Sequence, residues 1–295
     1  MAEPIIYVNG EFVPQSQARI SVLDHAVLYG DGVFETVVAW DGRIFKLGPH
    51  IDRFWRSLAA VGIVSPIDRR QLEDLVIETV RQNGLREAYI KWIMTRGANG
   101  KPLMDPTGCV PNLIVLVQPY VNRATSDALL KGLRAKTTAI RRPSGDVLDP
   151  QIKSLNYLNL VMAKLEAKAA GCHEAIMLDG RGRICEAPGY NVFIVRDDGV
   201  LRTPVHDILN GITRQTVFEL AGAAGMRVEE AGLELYDAYT SRELFLTSTA
   251  GGLIPIVELD GRRLGNGMPG PVWKRLSADY ERLLASDRYG TPVFN

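Results

Sequence analysis

At 295 residues, with 46% hydrophobic and 23% charged residues, the chain has the composition of an ordinary globular protein with room for two packed domains, and disorder is not indicated. Its 34 Lys plus Arg balance 34 Asp plus Glu without a like-charge block, so neither nucleic acid nor an anionic membrane surface is expected as a partner. Three widely spaced cysteines, Cys109, Cys172 and Cys185, suit reduced buried thiols better than a disulfide framework or a zinc site. The start lacks a signal-peptide pattern and no apolar run nears the roughly 20 residues that span a bilayer, so a cytoplasmic protein is expected.

The chain opens with two hairpin signals. Asn9-Gly10 separates Ile5–Val8 from Glu11–Val13, and Asp41-Gly42 separates Val33–Trp40 from Arg43–Leu47; both dipeptides suit the positive φ angles of tight turns. The period then changes. Ile51, Phe54, Trp55 and Leu58 recur at helical spacing before Gly62, with Arg53 beside that stripe and not in it. Leu72, Leu75, Val76 and Val80 predict a second helix ending near Gly84, followed by strands over Tyr89–Thr95 and Asn112–Gln118. This gives a small N-terminal α/β domain over residues 1–120, and a more polar, less periodic stretch at 121–132 reads as the linker.

A larger C-terminal domain, 133–295, opens with the strand-like Leu133–Ile140. Leu158, Val161, Met162, Leu165 and Ala169 mark a helix closed by Gly171, and strands follow over Glu174–Leu178, Arg183–Glu186 and Asn191–Val195. A helix from Thr213 to Ala224, strands Leu244–Thr247 and Leu253–Leu259, and a helix from Pro271 to Leu284 complete the reading.

Several residues have chemistry within reach. Lys153 follows Asp149-Pro-Gln-Ile152 in a loop or strand end, where desolvation can lower an amine's pKa and make it a Schiff-base former; taken alone it reads as a surface charge, as most lysines are. Ile212-Thr213-Arg214 opens a helix after Asn210-Gly211, so free N–H groups there can hold a phosphate, or Thr213 can be a simple cap. Thr247-Ser248-Thr249-Ala250-Gly251-Gly252 is a small-residue turn offering amides and hydroxyls to an anion, or an ordinary glycine turn. Glu186 stands at a strand mouth, where a carboxylate can keep a pyridine nitrogen protonated. His25, His50, His173 and His206 have no metal-ligand spacing, and no metal is expected.

Taken together, Arg53 in His50-Ile-Asp-Arg-Phe54, Lys153 in Ile152-Lys-Ser-Leu-Asn-Tyr157, Glu186 in Glu-Ala-Pro-Gly-Tyr-Asn191, Gly211-Ile-Thr-Arg214 and Ser248-Thr-Ala250 closely resemble the class IV aminotransferases. The resemblance runs from Ile5 to about Leu284. It implies an α+β, two-domain fold of pyridoxal-phosphate type IV, with a small α/β domain and a larger pseudo-barrel domain. It further implies pyridoxal 5'-phosphate as cofactor, Lys153 as its covalent carrier, and phosphate binding by Arg53, the Ile212 and Thr213 amides, Ser248 and Thr249. Tyr157 would face the ring oxygen and Glu186 the ring nitrogen. Ping-pong transfer between a small amine or amino acid and a 2-oxo acid would follow, in a homodimer with its sites at the subunit interface.

The substrate residues implied are Tyr29, Phe34, Val38, Lys91, Arg96, Ala250 and Gly251. Branched-chain enzymes typically read Phe-Glu-Gly-Ile-Arg-Ala-Tyr where this chain has Phe34-Glu-Thr-Val-Val-Ala-Trp40, so the arginine position is Val38. The loop Ala98–Asp105 offers Lys101 alone, in place of the Arg and His of bacillus-type D-amino-acid transaminases. Losing directional guanidinium clamps weakens selection for an α-carboxylate. Thr249-Ala-Gly-Gly252, Met268-Pro-Gly-Pro-Val272 and Thr291-Pro-Val look similar to R-selective amine transaminases. The donor expected from these signs is an R-configured primary amine or a D-amino acid, with an L-branched-chain aminotransferase as the alternative and aminodeoxychorismate lyase chemistry behind both.

Overall fold

The computed structural model describes residues 3–294 apart from 121–130. Its contacts divide the chain into two compact units: Met1–Val121 with Ile152–Asn156 and Leu284–Asn295, and Asn122–Gln151 with Tyr157–Leu283. The polar stretch at 121–132 read as the linker lies mostly outside the described residues. The expected unbroken second domain does not hold, because the lysine-bearing segment and the C-terminus group with the first unit.

In the first unit, β1 (Ile5–Val8), β2 (Glu11–Pro14), β3 (Gly32–Trp40), β4 (Arg43–Phe45), β5 (Ala88–Ala98), β6 (Val110–Pro119) and β16 (Gly290–Pro292) form one antiparallel sheet in the order β16-β4-β3-β5-β6-β1-β2. Both predicted hairpin turns are present, with φ of 50° and 104° at Asn9 and Gly10 and 46° and 73° at Asp41 and Gly42. Helix α1 (His25–Tyr29) precedes β3, and α2 (Leu47–Val61) and α3 (Arg69–Asn83) end at left-handed Gly62 and Gly84. A capping box between Asp68 and Gln71 starts α3. Phe54 and Leu58 of α2 and Leu72, Val76 and Val80 of α3 pack with Val33 and Val37 of β3 and Ile90, Trp92 and Met94 of β5.

Side chains alternate along a strand, so the other face of β3 carries Phe34, Thr36 and Val38. Their register partners on β5 are Ile93, Lys91 and Tyr89. Residues 152–156 run beside the start of β3: Phe34 N–H donates to the Lys153 carbonyl at 3.0 Å and Leu155 N–H to the Gly32 carbonyl at 2.9 Å. Arg53, expected beside the apolar stripe and not in it, is nonetheless buried, because it reaches a buried carboxylate on β3.

The second unit is built on a mixed sheet of β7 (Leu133–Arg141), β8 (Glu174–Leu178), β10 (Tyr190–Val195), β11 (Leu201–Pro204), β12 (Val228–Ala231), β13 (Glu243–Ser248) and β14 (Gly252–Leu259). The order is β12-β11-β10-β13-β14-β7-β8, with short β9 (Glu186–Ala187) on β10 and β15 (Arg262–Arg263) on β14. The pairs β11–β12, β7–β14 and β7–β8 are parallel and the rest antiparallel. Strands β11 and β12, too short to show a period, were not expected from sequence. Helix Leu158–Ala169 inverts the expectation for its apolar stripe. Leu160, Ala163 and Ala167 face Ala175 and Met177, whereas Leu158, Val161, Met162 and Leu165 are exposed at 72%, 52%, 46% and 59%.

The bulge near the end of β5 depends on one glycine. Gly97 has φ of 83°, and a Cβ there would lie 1.6 Å from the Val110 carbonyl oxygen across the β5–β6 bulge. Gly97→Ala is expected to lower unfolding free energy by about 2–3 kcal/mol, read from the urea midpoint. An unchanged midpoint contradicts this account of the bulge.

Candidate active site

On the first unit, the site is organised by a carboxylate that sequence reasoning missed. Glu35, fully buried on β3, receives Arg53 Nε at 2.6 Å on one oxygen and Arg53 Nη2 at 3.0 Å on the other. His50 Nδ1–H donates to the second oxygen at 2.8 Å, as does the Thr36 N–H at 3.1 Å. Burial alone would raise this carboxyl, yet Arg53 and His50 hold it well below the usual carboxylate range. Burial pushes the His50 imidazole down, with Glu35 opposing. The only sequence signal for Glu35 was its place inside Phe34-Glu35, one residue from a site side chain.

Lys153 is fixed through its backbone. Besides the bond to Phe34, its N–H donates to buried Ser57 Oγ on α2 at 3.1 Å. Its Nζ lies 4.4 Å from the centroid of Phe34, and Lys91 Nζ lies 4.3 Å from the same centroid. Val38 is buried and apolar. Arg96, expected to meet substrate, donates to both Asp31 oxygens and to the Val61 and Gly62 carbonyls. The Tyr29 hydroxyl donates to the Pro102 carbonyl at 3.1 Å, and the Lys101 side chain is exposed.

On the second unit, buried Glu186 takes an ion pair from Arg142 Nε at 2.7 Å and a bond from Leu209 N–H at 2.9 Å. Arg142, buried inside Arg141-Arg142-Pro143, gave no sequence signal of its own. Helix Ile212–Ala223 begins at Gly211 with no side-chain cap, so its first amides are not closed off by the chain's own hydroxyls, and Thr213 is not the cap. A Cβ on Gly211 would lie 2.0 Å from Asn191 Oδ1, whose amide donates to the Leu209 carbonyl at 2.8 Å. In register, Asn191 pairs with Thr247, whose buried hydroxyl has no hydrogen-bond partner among the described residues. Beyond it the Ser248–Gly252 turn closes with Gly251 N–H donating to Ser248 Oγ at 2.9 Å, leaving Thr249 and Ala250 at its tip. Tyr157 stands at the entry of helix Leu158–Ala169 and packs on its buried cluster.

Among the described residues, Asp179, Cys185 and Asp207 bring ligand atoms within 4.8 Å of one another. Asp179 already accepts from the Arg181 and Arg183 amides and Arg183 Nε, and burial pushes the Cys185 thiol up. This is the chemistry of a braced turn.

The family described as amino-transferase class IV matches residues 32–259. A Methanocaldococcus jannaschii protein provisionally assigned as a branched-chain-amino-acid aminotransferase is 43% identical, covering 98% of this chain and 99% of that one. The chain belongs to the class IV aminotransferases. The branched-chain-amino-acid aminotransferase of Pseudomonas aeruginosa is 34% identical, over 95% and 93% of the two chains. The T.th. branched-chain amino acid aminotransferase, solved with N-(5'-phosphopyridoxyl)-L-glutamate, superposes with a TM-score of 0.93 at 34% identity, covering all of both chains.

As a class IV aminotransferase the protein uses pyridoxal phosphate. The second unit fits such a group: an uncapped helix start suits a phosphate, and the orphaned Thr247 hydroxyl lies on the strand that leads into the hydroxyl-bearing turn. Glu186, held by Arg142, is a carboxylate of the kind that pairs with a pyridinium nitrogen.

Two changes test this geometry. Gly211→Ala forces Asn191 aside and is expected to weaken cofactor binding by about tenfold or more, read by titrating cofactor absorbance, since one well-placed hydrogen bond to charge is worth that much. Unaltered affinity contradicts the cradle. Glu35→Gln leaves Arg53 without its buried counter-charge and is expected to cost about 3–5 kcal/mol in denaturant unfolding. Glu35 has a lowered pKa when folded, so its stabilisation is present above the unfolded carboxylate's range and is lost as pH falls below it. The Gln variant therefore loses this part of the acid dependence, and an identical acid limb in both proteins argues against the pair.

Proposed function

We propose that the enzyme transfers the amino group of L-leucine, L-isoleucine or L-valine to a 2-oxo acid, with 2-oxoglutarate as the favoured acceptor. The observation carrying this reading is similarity over nearly the whole chain to branched-chain aminotransferases at 43% and 34% identity. It favours the alternative over the R-configured amine or D-amino-acid donor that the missing arginine suggested. The apolar face of Phe34 and Val38 beside Tyr89 and Lys91 agrees with a branched side chain carried on a carboxylate.

In this reading Lys153 carries the cofactor covalently, and bound cofactor supplies a reactive aldehyde and a ring that withdraws electrons from the substrate α-carbon. The Lys153 amine would be the base that takes the substrate α-proton and gives it back. Glu186 keeps a proton on the ring nitrogen, and Arg53, the Ile212 and Thr213 amides, Ser248 and Thr249 hold the phosphate. Tyr157 faces the ring oxygen. Tyr29, Phe34, Val38, Lys91, Ala250 and Gly251 receive the substrate.

The exposed stripe on helix Leu158–Ala169 supports a homodimer, because four apolar side chains at i, i+3, i+4 and i+7 form a face that a second copy would cover. Val161→Glu with Leu165→Glu is expected to yield a monomer by sedimentation; an unshifted dimer argues for another interface.

A donor panel tests the substrate. L-Leucine, L-isoleucine and L-valine with 2-oxoglutarate are expected to exceed D-alanine and (R)-1-phenylethylamine with pyruvate by about 100-fold or more in kcat/KM. Turnover confined to the D- or R-configured donors, or pyruvate release from aminodeoxychorismate without an acceptor, overturns the reading. Borohydride reduction of cofactor-loaded protein is expected to fix the cofactor on Lys153, and label on another lysine removes that assignment.

A further inference from the structure

A row of polar side chains crosses the sheet of the second unit. In register, Asn191 of β10 stands opposite Glu186 of β9 on one side and Thr247 of β13 on the other, so the three side chains share one face. All three are buried. Burial leaves a polar group in need of a partner, and two of the three find theirs on one loop residue. Asn191 Nδ2–H donates to the Leu209 carbonyl at 2.8 Å, and the Leu209 N–H donates to Glu186 Oε2 at 2.9 Å.

Strand pairing between β9 and β10 already joins Glu186 to Asn191, so these bonds close a ring through Leu209. A residue held at both its N–H and its carbonyl has little backbone freedom left. Two positions on, Gly211 opens helix Ile212–Ala223 and lies tight against Asn191 Oδ1, where an added Cβ would stand 2.0 Å away. Asn191 therefore meets the loop twice, at 209 through its nitrogen and at 211 through its oxygen. Arg142 Nε holds Glu186 Oε1 at 2.7 Å, which anchors the carboxylate but not the loop. A neutral amide suits the central place, because it offers a donor and an acceptor without setting a second anion beside Glu186.

We propose that Asn191 is a positioning residue that couples the two ends of the cofactor cradle, fixing Glu186 through Leu209 and the uncapped helix start through Gly211. The carboxylate and the first helix amides are then set by one side chain and move together. This inference rests on Glu186 pairing with the ring nitrogen and on the helix start holding the phosphate.

The test uses the full chain stripped of cofactor and titrated with 4-deoxypyridoxine 5'-phosphate, which has the ring and the phosphate but no aldehyde for a lysine to attack. Two quantities are read: the dissociation constant, from quenching of ring fluorescence, and the absorbance band of the bound ring, which reports whether its nitrogen is protonated. Asn191→Leu keeps nearly the same volume and removes the donor. It is expected to weaken binding by about tenfold or more, and to move the bound band toward that of the unprotonated ring, part of the way to where Glu186→Gln places it. Asn191→Ala, which cannot press on Gly211, is expected to give both shifts and decides the matter where the Leu variant does not fold. Weaker binding with the natural band means only a loosened fold and overturns the proposal, as does unaltered binding. A Glu186→Gln band that stays in place shows instead that Glu186 is not the ring partner, and the proposal falls with that reading; this control tells the two failures apart.

Discussion

The architecture of the first unit depends on keeping one carboxylate ionised in a place without water. Glu35 is tolerable there only because Arg53 meets both its oxygens and His50 and the Thr36 amide add bonds. The bond pins β3 to α2, and because a strand's side chains alternate, pinning Glu35 toward the helices turns Phe34, Thr36 and Val38 the other way. On β3, strand β4 pairs with Ala39 and Trp40 alone among the described residues, so the start of β3 stays open to receive the segment that carries Lys153. One buried ion pair and one short strand thus set where the amine stands.

The second unit uses the absence of a side chain for the same end. Gly211 lets Asn191 close against the start of helix Ile212–Ala223, and the register brings Thr247 alongside. Any larger residue would push the amide away from the Leu209 carbonyl and with it the residue whose own N–H holds Glu186. The helix start and the carboxylate are therefore coupled through a few loop residues, 209 to 211.

Much of this was legible locally. Asn-Gly and Asp-Gly placed the hairpins, and Gly62 and Gly84 ended the helices, because left-handed turn geometry is dictated by one or two residues. What escaped depended on distant partners. The burial of Arg53 was hidden because Glu35 is 18 positions away, and Lys153 was assigned to the second domain because strand pairing with β3 leaves no trace in its own neighbourhood. The apolar stripe of helix Leu158–Ala169 had the period of a core face, but period cannot distinguish burial in a core from a face awaiting another chain. The relatives favour the alternative donor over the one first expected, and of the residues behind that expectation Thr291 and Pro292 belong to the edge strand β16 and Met268 is an exposed loop side chain.

Lysine in place of arginine changes what the substrate face can do. A guanidinium stays charged at any pH the fold survives and grips a carboxylate in two directions. With Val38 apolar and Lys91 held below the usual lysine range, this face loses cationic character on the alkaline side sooner than a free lysine would allow. Beneath it, Arg53 and His50 hold the Glu35 carboxyl well below the usual carboxylate range. The two faces of the sheet thus hold their cations differently, Arg53 against a buried carboxylate and Lys91 over the Phe34 ring.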